Sequence, residues 1–313
     1  MMIDKIYFFL LFLLSTFLAI IVQKFFIKYR KFDDFNHRTS HNTLATKTGG
    51  ISVFISLFIF SFFSYLKEIE IFDFSLLIPI SIMFIVGVYD DLYNADFKLK
   101  FILQIIVAKI IIDNGFVIDS FHGVFGIYEL PRIFSQIFTV FVFLIIVNAI
   151  NFIDGIDGLA ITEIIKTILI IELISVERTP LYIIGLMVIL SLIPLYYFNY
   201  KKNKKIFLGD GGSLLLGTFL SIYIFYLLGE NYNIKTSFSI NKALLSIIIM
   251  IYPLIDLLRV FIIRIYNKKS PFIADKNHIH HKILDIVKSH FLVLITIQVI
   301  SLIFIFAIII LLN

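Results

Sequence analysis

Ten apolar runs, each near the length of a bilayer crossing, leave this 313-residue chain few ways to fold. Hydrocarbon offers no partner to a backbone amide, so a chain that enters it closes its hydrogen bonds within helices, at roughly 20 residues per crossing. The runs centre on residues 3–27, 50–66, 74–90, 99–113, 133–150, 159–175, 181–199, 213–229, 242–265 and 291–312. The predicted fold is an all-α polytopic membrane protein of about ten transmembrane helices, one domain over residues 1–313, with the lipid bilayer as its partner. Lys109, Glu163, Lys166 and Glu172 fall inside these runs and are expected to face other helices rather than lipid. The first run is too long for the apolar part of a signal peptide. It is followed by Lys28, Arg30 and Lys31 instead of a small-residue cleavage site, so it reads as a retained helix.

Composition closes off other classes. Hydrophobic residues make up 60% and charged ones 16%, well beyond the roughly 45–50% apolar usage of soluble domains. The formal net charge of +5 invites a nucleic-acid reading. The cations sit in short loops between apolar runs, however, where they orient a membrane protein, so no nucleic-acid partner is expected. The absence of cysteine excludes disulfides, thiolate catalysis and cysteine-ligated metal.

If loops alternate sides, 19 of the 27 Lys and Arg residues fall in 24–49, 91–100, 200–212 and 259–290. The positive-inside rule makes that side cytoplasmic and puts both termini outside. Every polar stretch with chemical potential falls on the same side: residues 37–50, Asp90 with Asp91, 148–158, 208–213 and 267–290. The opposite connections, 67–73, 115–126 and 176–180, look structural, and 115–126 alternates like a small hairpin. No internal repeat is evident, which weakens a transporter reading.

Asn148, Asn151, Asp154 and Asp157 recur every three residues, so a helical end would place them on one gradually drifting face. Such oxygen donors suit a hard cation, Mg²⁺ or Mn²⁺, that shares phosphate oxygens. An Asx-rich turn capping the next helix accounts for Asp157 but not for the spacing of all four. Asp90 and Asp91 end the third run, where one acid can face substrate while the other meets a cation; two solvated helix-end acids are the plainer alternative. Lys100, alone, reads better as a snorkelling interfacial lysine than as a site residue.

Leu208–Ser213 sets Asp210 between glycines at the start of the eighth run, where backbone amides can receive phosphate. On its own that string is ordinary turn or cap chemistry. Three histidines, His278, His280 and His281, lie in a loop with Arg259, Arg264, Lys268 and Lys269. Without cysteine or an HxxxH pair, phosphate recognition fits them better than zinc. Residues 282–290 read as a short amphipathic helix with Ile283, Ile286 and Val287 toward lipid.

Taken in order, residues 90–100, 148–159, 208–213 and 270–281 resemble the polyprenyl-phosphate N-acetylhexosamine-1-phosphate transferases, glycosyltransferase family 4, over almost the whole chain. The resemblance implies transfer of a sugar 1-phosphate from a UDP-sugar donor to undecaprenyl phosphate, with release of UMP, in a bacterial inner (cytoplasmic) membrane crossed many times. It implies Asp90 and Asp91 as acceptor-side acids and Lys100 on phosphate. Asn151 and Asp210 would serve as the Mg²⁺ group, with Asp210 also catalytic, and Asn148, Asp154 and Asp157 would lie on the nucleotide side. Arg259, His278, His280 and His281 would bind sugar and phosphate.

The histidine loop is similar to the branch that uses UDP-N-acetylglucosamine. UDP-MurNAc-pentapeptide or another UDP-N-acetyl deoxysugar is the alternative donor, and a secondary transporter the distant alternative function. Residues 36–50 align with the family's first cytoplasmic loop through Arg38, His41, Gly49 and Gly50, with Thr39 and Ala45–Thr46 as departures. A homodimer is compatible with this reading; the chain itself writes no oligomeric state.

Overall fold

The structure, a computed structural model, describes residues 5–32, 45–69, 71–270 and 277–312. Its helices are α1 (Lys5–Lys28), α2 (Gly49–Leu66), α3 (Leu77–Tyr93), α4 (Phe97–Asp113), α5 (Arg132–Ile153) and α6 (Leu159–Ile174). They continue with α7 (Tyr182–Asn199), α8 (Gly209–Leu228), α9 (Lys242–Ile249), α10 (Ile251–Tyr266), α11 (Ile279–Val287) and α12 (His290–Leu312). Two-residue strands β1 (Ala45–Thr46) and β2 (Lys205–Ile206) and two 3₁₀ turns, Phe74–Leu76 and Val124–Gly126, complete the elements.

Among the described residues, seven helices are long and apolar enough to cross a membrane, or eight if the bent pair α9 and α10 is one span. Each apolar run of the sequence is helical where described, α4 and α6 being shorter at 17 and 16 residues. The protein is a polytopic membrane protein. Phe9, Phe62, Ile137, Ile262 and Ile303 are all more than half exposed, as side chains solvated by lipid rather than water should be.

The chain divides into two compact units, Met1–Asp96 with Pro180–Leu215, and Phe97–Thr179 with Leu216–Asn313. In the first, α1 packs on α2 and α7, and α2 on α7 and α3, around Leu11, Ala19, Val53, Leu57, Met83 and Leu192. Small hydroxyl residues let these helices approach: Ser15 Oγ donates to the Ser191 carbonyl at 2.8 Å. β1 and β2 pair in parallel, and the pairing runs on, the Gly49 and Gly50 amides donating to the Phe207 and Leu208 carbonyls at 2.8 and 2.9 Å. That zip fixes the entry to α8 against the start of α2.

In the second unit α5 packs on α4, α6 and α10, and α12 on α10 and α11. Lys166 Nζ donates to both oxygens of Glu163 at 2.7 and 2.8 Å and to Ser301 Oγ at 3.0 Å, while Gln298 Nε2 donates to Glu163 Oε2 at 3.1 Å. Glu172 takes hydrogen bonds from Thr179 and from the Tyr223 hydroxyl. These three charges turn inward, as expected. Lys109 does not: it is exposed and pairs with Asp113 one turn along α4, near the helix end where its ammonium stays solvated.

Three other expectations are corrected. The ninth run is not one straight helix but bends by 71° between α9 and α10. Pro253, in the first turn of α10, has no N–H to carry the hydrogen-bond ladder across Met250. Residues 115–126 form no strand: Ile118 gives its N–H to Thr139 Oγ1 and its carbonyl to Ser135 Oγ, so α5 takes the groups a hairpin partner would use. The amphipathic helix after the histidines is Ile279–Val287, not 282–290. Lys288, at φ 54°, ends it, and His290 already belongs to α12.

Candidate active site

The chemistry of the first unit begins with two acids in the last turn of α3. A carboxylate there opposes the helix dipole, at about 0.3–1 kcal/mol each, so helix stability does not explain them. Asp90 spends Oδ1 on the Ala95 N–H at 2.8 Å, and Asn94, in a left-handed conformation at φ 52°, turns the chain out of the helix. Asp91 points elsewhere. Its Oδ2 accepts the Gly211 N–H at 2.9 Å, one of the unpaired amides that open α8, while Lys47 Nζ lies 3.5 Å from Oδ1. Buried Oδ1 has no hydrogen-bond partner, and the charge of Asp210 bears directly on the Asp91 carboxylate.

Glycine makes this meeting sterically allowed. A Cβ on Gly87 would lie 2.2 Å from the Asp210 carbonyl oxygen, and one on Gly50 would lie 2.2 Å from the Gly212 amide nitrogen. The first turn of α8 is thus held backbone to backbone by both α2 and α3. The structure brings Asp91 and Asp210 together, leaves Asp90 at the end of its own helix, and adds Lys47, whose assignment needed the β1–β2 pairing to be seen.

The second unit holds the histidines. Tyr252, Asp256 and Arg259 repeat at helical spacing along α10, with buried Arg264 further on. Asp256, wholly buried, accepts from His278 Nδ1 at 2.7 Å and from the Ile279 N–H at 2.6 Å, so it both orients a histidine and caps α11. His278 Nε2 is then left to accept, with Arg264 Nη2 at 3.5 Å. Arg264 also lies over the Phe152 ring, 5.6 Å from its centroid. Arg259 Nη1 donates to the Asn277 carbonyl at 2.6 Å and anchors the loop.

Ligand atoms of Asp256, His278 and His280 lie within 4.8 Å of one another. Hydrogen bonds account for that closeness, since both carboxylate oxygens are already engaged by N–H donors. His280 is fully buried, its Nδ1 is 3.2 Å from the Tyr252 hydroxyl, and its Nε2 has no partner. Burial first, and then neighbouring His281, push His280 down to about 3, so its ring is neutral.

The 148–158 string is less uniform than its spacing. Asn148 donates to Gln104 Oε1 at 2.9 Å and to the Leu144 carbonyl at 2.7 Å, joining α5 to α4. Asn151 and Asp154 are half-buried at the end of α5. Asp157 is buried, its Oδ2 3.3 Å from His290 Nδ1, which also accepts the Asp157 N–H at 3.2 Å. Lys100 is half-buried on the first turn of α4. Arg38 and His41 lie outside the described residues. Sequence reasoning missed Tyr252, Asp256 and His290; a carboxylate and a phenol inside an otherwise apolar run were the available signal for the first two.

Residues 73–228 match the model of glycosyl transferase family 4. A Bacillus subtilis protein named "Probable undecaprenyl-phosphate N-acetylglucosaminyl 1-phosphate transferase" is 32% identical over 91% of this chain and 78% of its own length. Proteins named undecaprenyl-phosphate alpha-N-acetylglucosaminyl 1-phosphate transferase are 29% identical in Salmonella typhi, over 88% of this chain and 74% of theirs, and 30% identical in Yersinia pestis, over 88% and 75%. With Asp91 at the end of α3 meeting the Asp210 turn at the start of α8 inside the matched span, the chain belongs to glycosyl transferase family 4.

Proposed function

We propose that the protein transfers N-acetylglucosamine 1-phosphate from UDP-N-acetylglucosamine to undecaprenyl phosphate, releasing UMP. The observation that carries this is similarity, across 91% of the chain, to a relative named for that transfer. An oxygen of undecaprenyl phosphate attacks the sugar-linked phosphorus. A new P–O bond forms, the P–O bond to the uridine phosphate breaks, and UMP leaves with its electron pair. Such a reaction asks the protein for positioning and charge neutralisation more than for covalent chemistry.

In this reading Asp91 and Asp90 orient the acceptor phosphate with Lys100. The geometry separates the two acids: Asp90 uses an oxygen to close its helix, whereas Asp91 Oδ1 makes no hydrogen bond and has the Lys47 ammonium beside it at 3.5 Å. Mg²⁺ or Mn²⁺ fits Asp91 and Asp210, because an unsatisfied carboxylate oxygen beside a second acid is a hard-cation donor set. Asn151 carries over from the family resemblance as a further ligand. When bound, the cation would neutralise pyrophosphate charge. Asn148, Asp154 and Asp157 are assigned to the nucleotide, and Arg38, His41, Arg259, His278, His280 and His281 to the sugar and phosphates.

The chain is read as one catalytic domain of ten spans in a bacterial inner membrane, with both termini outside and the site on the cytoplasmic face. Its test is purified protein with undecaprenyl phosphate, Mg²⁺ and a panel of UDP-sugars that includes UDP-MurNAc-pentapeptide and N-acetyl deoxysugars. UMP release with UDP-N-acetylglucosamine is expected. Release with a different donor alone replaces the sugar, and no release with any donor overturns the reaction.

A further inference from the structure

His280 is the most enclosed histidine of the loop, yet one of its nitrogens has no partner. Its Nδ1 meets the Tyr252 hydroxyl at 3.2 Å, and Asp256 Oδ2 stands further off at 3.8 Å, already accepting from His278. Among the described residues this is the only hydrogen bond of the Tyr252 hydroxyl. If the phenol donates, a single group, Nε2–H, stays unpaired. If the ring donated instead, both the phenol proton and the Nε2 lone pair would be stranded, so the first arrangement wins.

The other groups facing the ring are His278, stacked at 5.2 Å between centroids, and His281 at 4.4 Å, with His290 acting on it electrostatically. Burial first, and then the neighbouring imidazoles, disfavour a positive ring here, with Asp256 acting the other way. Where Nε2 leads is set by exposed Gly155: a Cβ there would lie 3.1 Å from Nε2 and 3.4 Å from His281 Cε1. Both rings therefore meet the 154–158 turn where it carries no side chain.

We infer that Tyr252 is a positioning residue, which holds His280 in the neutral tautomer that presents Nε2–H, beside the Gly155 turn, to an acceptor oxygen of the nucleotide-sugar donor. This rests on the transferase reading for its substrate, but not for its tautomer. The orphaned nitrogen is the trace of that acceptor, because buried polar atoms without a partner are rare unless something else completes them.

The test combines spectroscopy and kinetics on the full chain in detergent or nanodiscs. With ¹⁵N-histidine labelling, the wild type is expected to show a histidine with protonated Nε2 and bare Nδ1 that is absent from His280→Gln. Tyr252→Phe should convert that signal to a tautomer mixture and raise KM for the UDP-sugar about tenfold or more, leaving KM for undecaprenyl phosphate unchanged. His280→Gln, which keeps a neutral N–H donor, should retain more activity than His280→Ala. A wild-type His280 protonated on Nδ1 overturns the inference without any variant, as does a Tyr252→Phe protein within about twofold of the wild-type KM. Wild type that releases no UMP with any donor defeats the transferase reading instead, and leaves the tautomer measurement standing.

Discussion

Asp90 and Asp91 are neighbours in sequence with separate surroundings, and a substitution can therefore tell them apart. Asp91→Asn keeps the volume and an oxygen for the Gly211 N–H but removes the charge beside Lys47 and Asp210. Turnover should fall by about 10²–10³ or more, and UDP-sugar binding in the presence of Mg²⁺ should weaken as a cation ligand is lost; UMP release and calorimetry read the two, and a fully active variant would remove Asp91 from the chemistry. His280 gives a prediction in pH. Its folded value lies at about 3 against 6.5 unperturbed, so between those limits the unfolded chain binds a proton that the folded chain refuses. Its contribution to stability is complete above about pH 6.5 and is lost as pH falls toward 3, by up to about 1.4 kcal/mol per unit. Melting temperatures from pH 7 to 4.5 should therefore fall less in His280→Gln than in the wild type. At this scale the sequence showed which residue types clustered, since charge inside an apolar chain is conspicuous. It did not show which partner each would take, because Asp91 meets Gly211 and Asp256 meets His278 across separations that no local pattern encodes.

The elements explain why the glycines of Leu208–Ser213 looked like ordinary turn chemistry when read alone. Their partners, Gly50 and Gly87, are more than a hundred residues away, and only the packed helices reveal backbone-to-backbone contact. Gly87→Ala would drive a methyl into the Asp210 carbonyl, which cannot swing aside as a side chain could. A loss of about 3 kcal/mol is expected in thermal melts, together with loss of transfer as Asp210 moves; a variant that melts and works like the wild type would show that α3 and α8 do not touch this way. Glu163 and Lys166 test a different contact, between α6 and α12. Glu163→Leu strands a buried ammonium and should cost about 3–5 kcal/mol, whereas Glu163→Leu with Lys166→Met should recover most of it. If the double variant is no more stable than the single one, the pair is not what holds Gln298 and Ser301. The signal for the break after α9 is Pro253; the length of the apolar run hides it, because a bent pair satisfies that length as well as a straight helix.

At the scale of the whole molecule the apolar runs carried the most information, since lipid penalises an unpaired amide wherever it falls and so fixes helix against every alternative. Loops were less legible: residues 115–126 alternate like strands, yet the Ile118 backbone groups are claimed by Ser135 and Thr139 of α5, and residues 121–126 close on themselves as turns. Sidedness rests on the uneven placement of Lys and Arg, with 19 of 27 in one set of loops. That argument can be tested directly because the chain has no cysteine to mask a reporter. Asn203 lies exposed between α7 and β2, and Glu177 exposed between α6 and α7. The charge bias puts Asn203 in the cytoplasm, on the side of Asp91 and Asp210, and Glu177 outside. In spheroplasts a membrane-impermeant maleimide should label Glu177→Cys at once and Asn203→Cys only after the membrane is opened. Retained UMP release in both variants would certify that the labelled protein is folded. The reverse labelling pattern would place the acids outside, where UDP-sugar made in the cytoplasm does not reach them, and would overturn the cytoplasmic site while leaving its residues untouched.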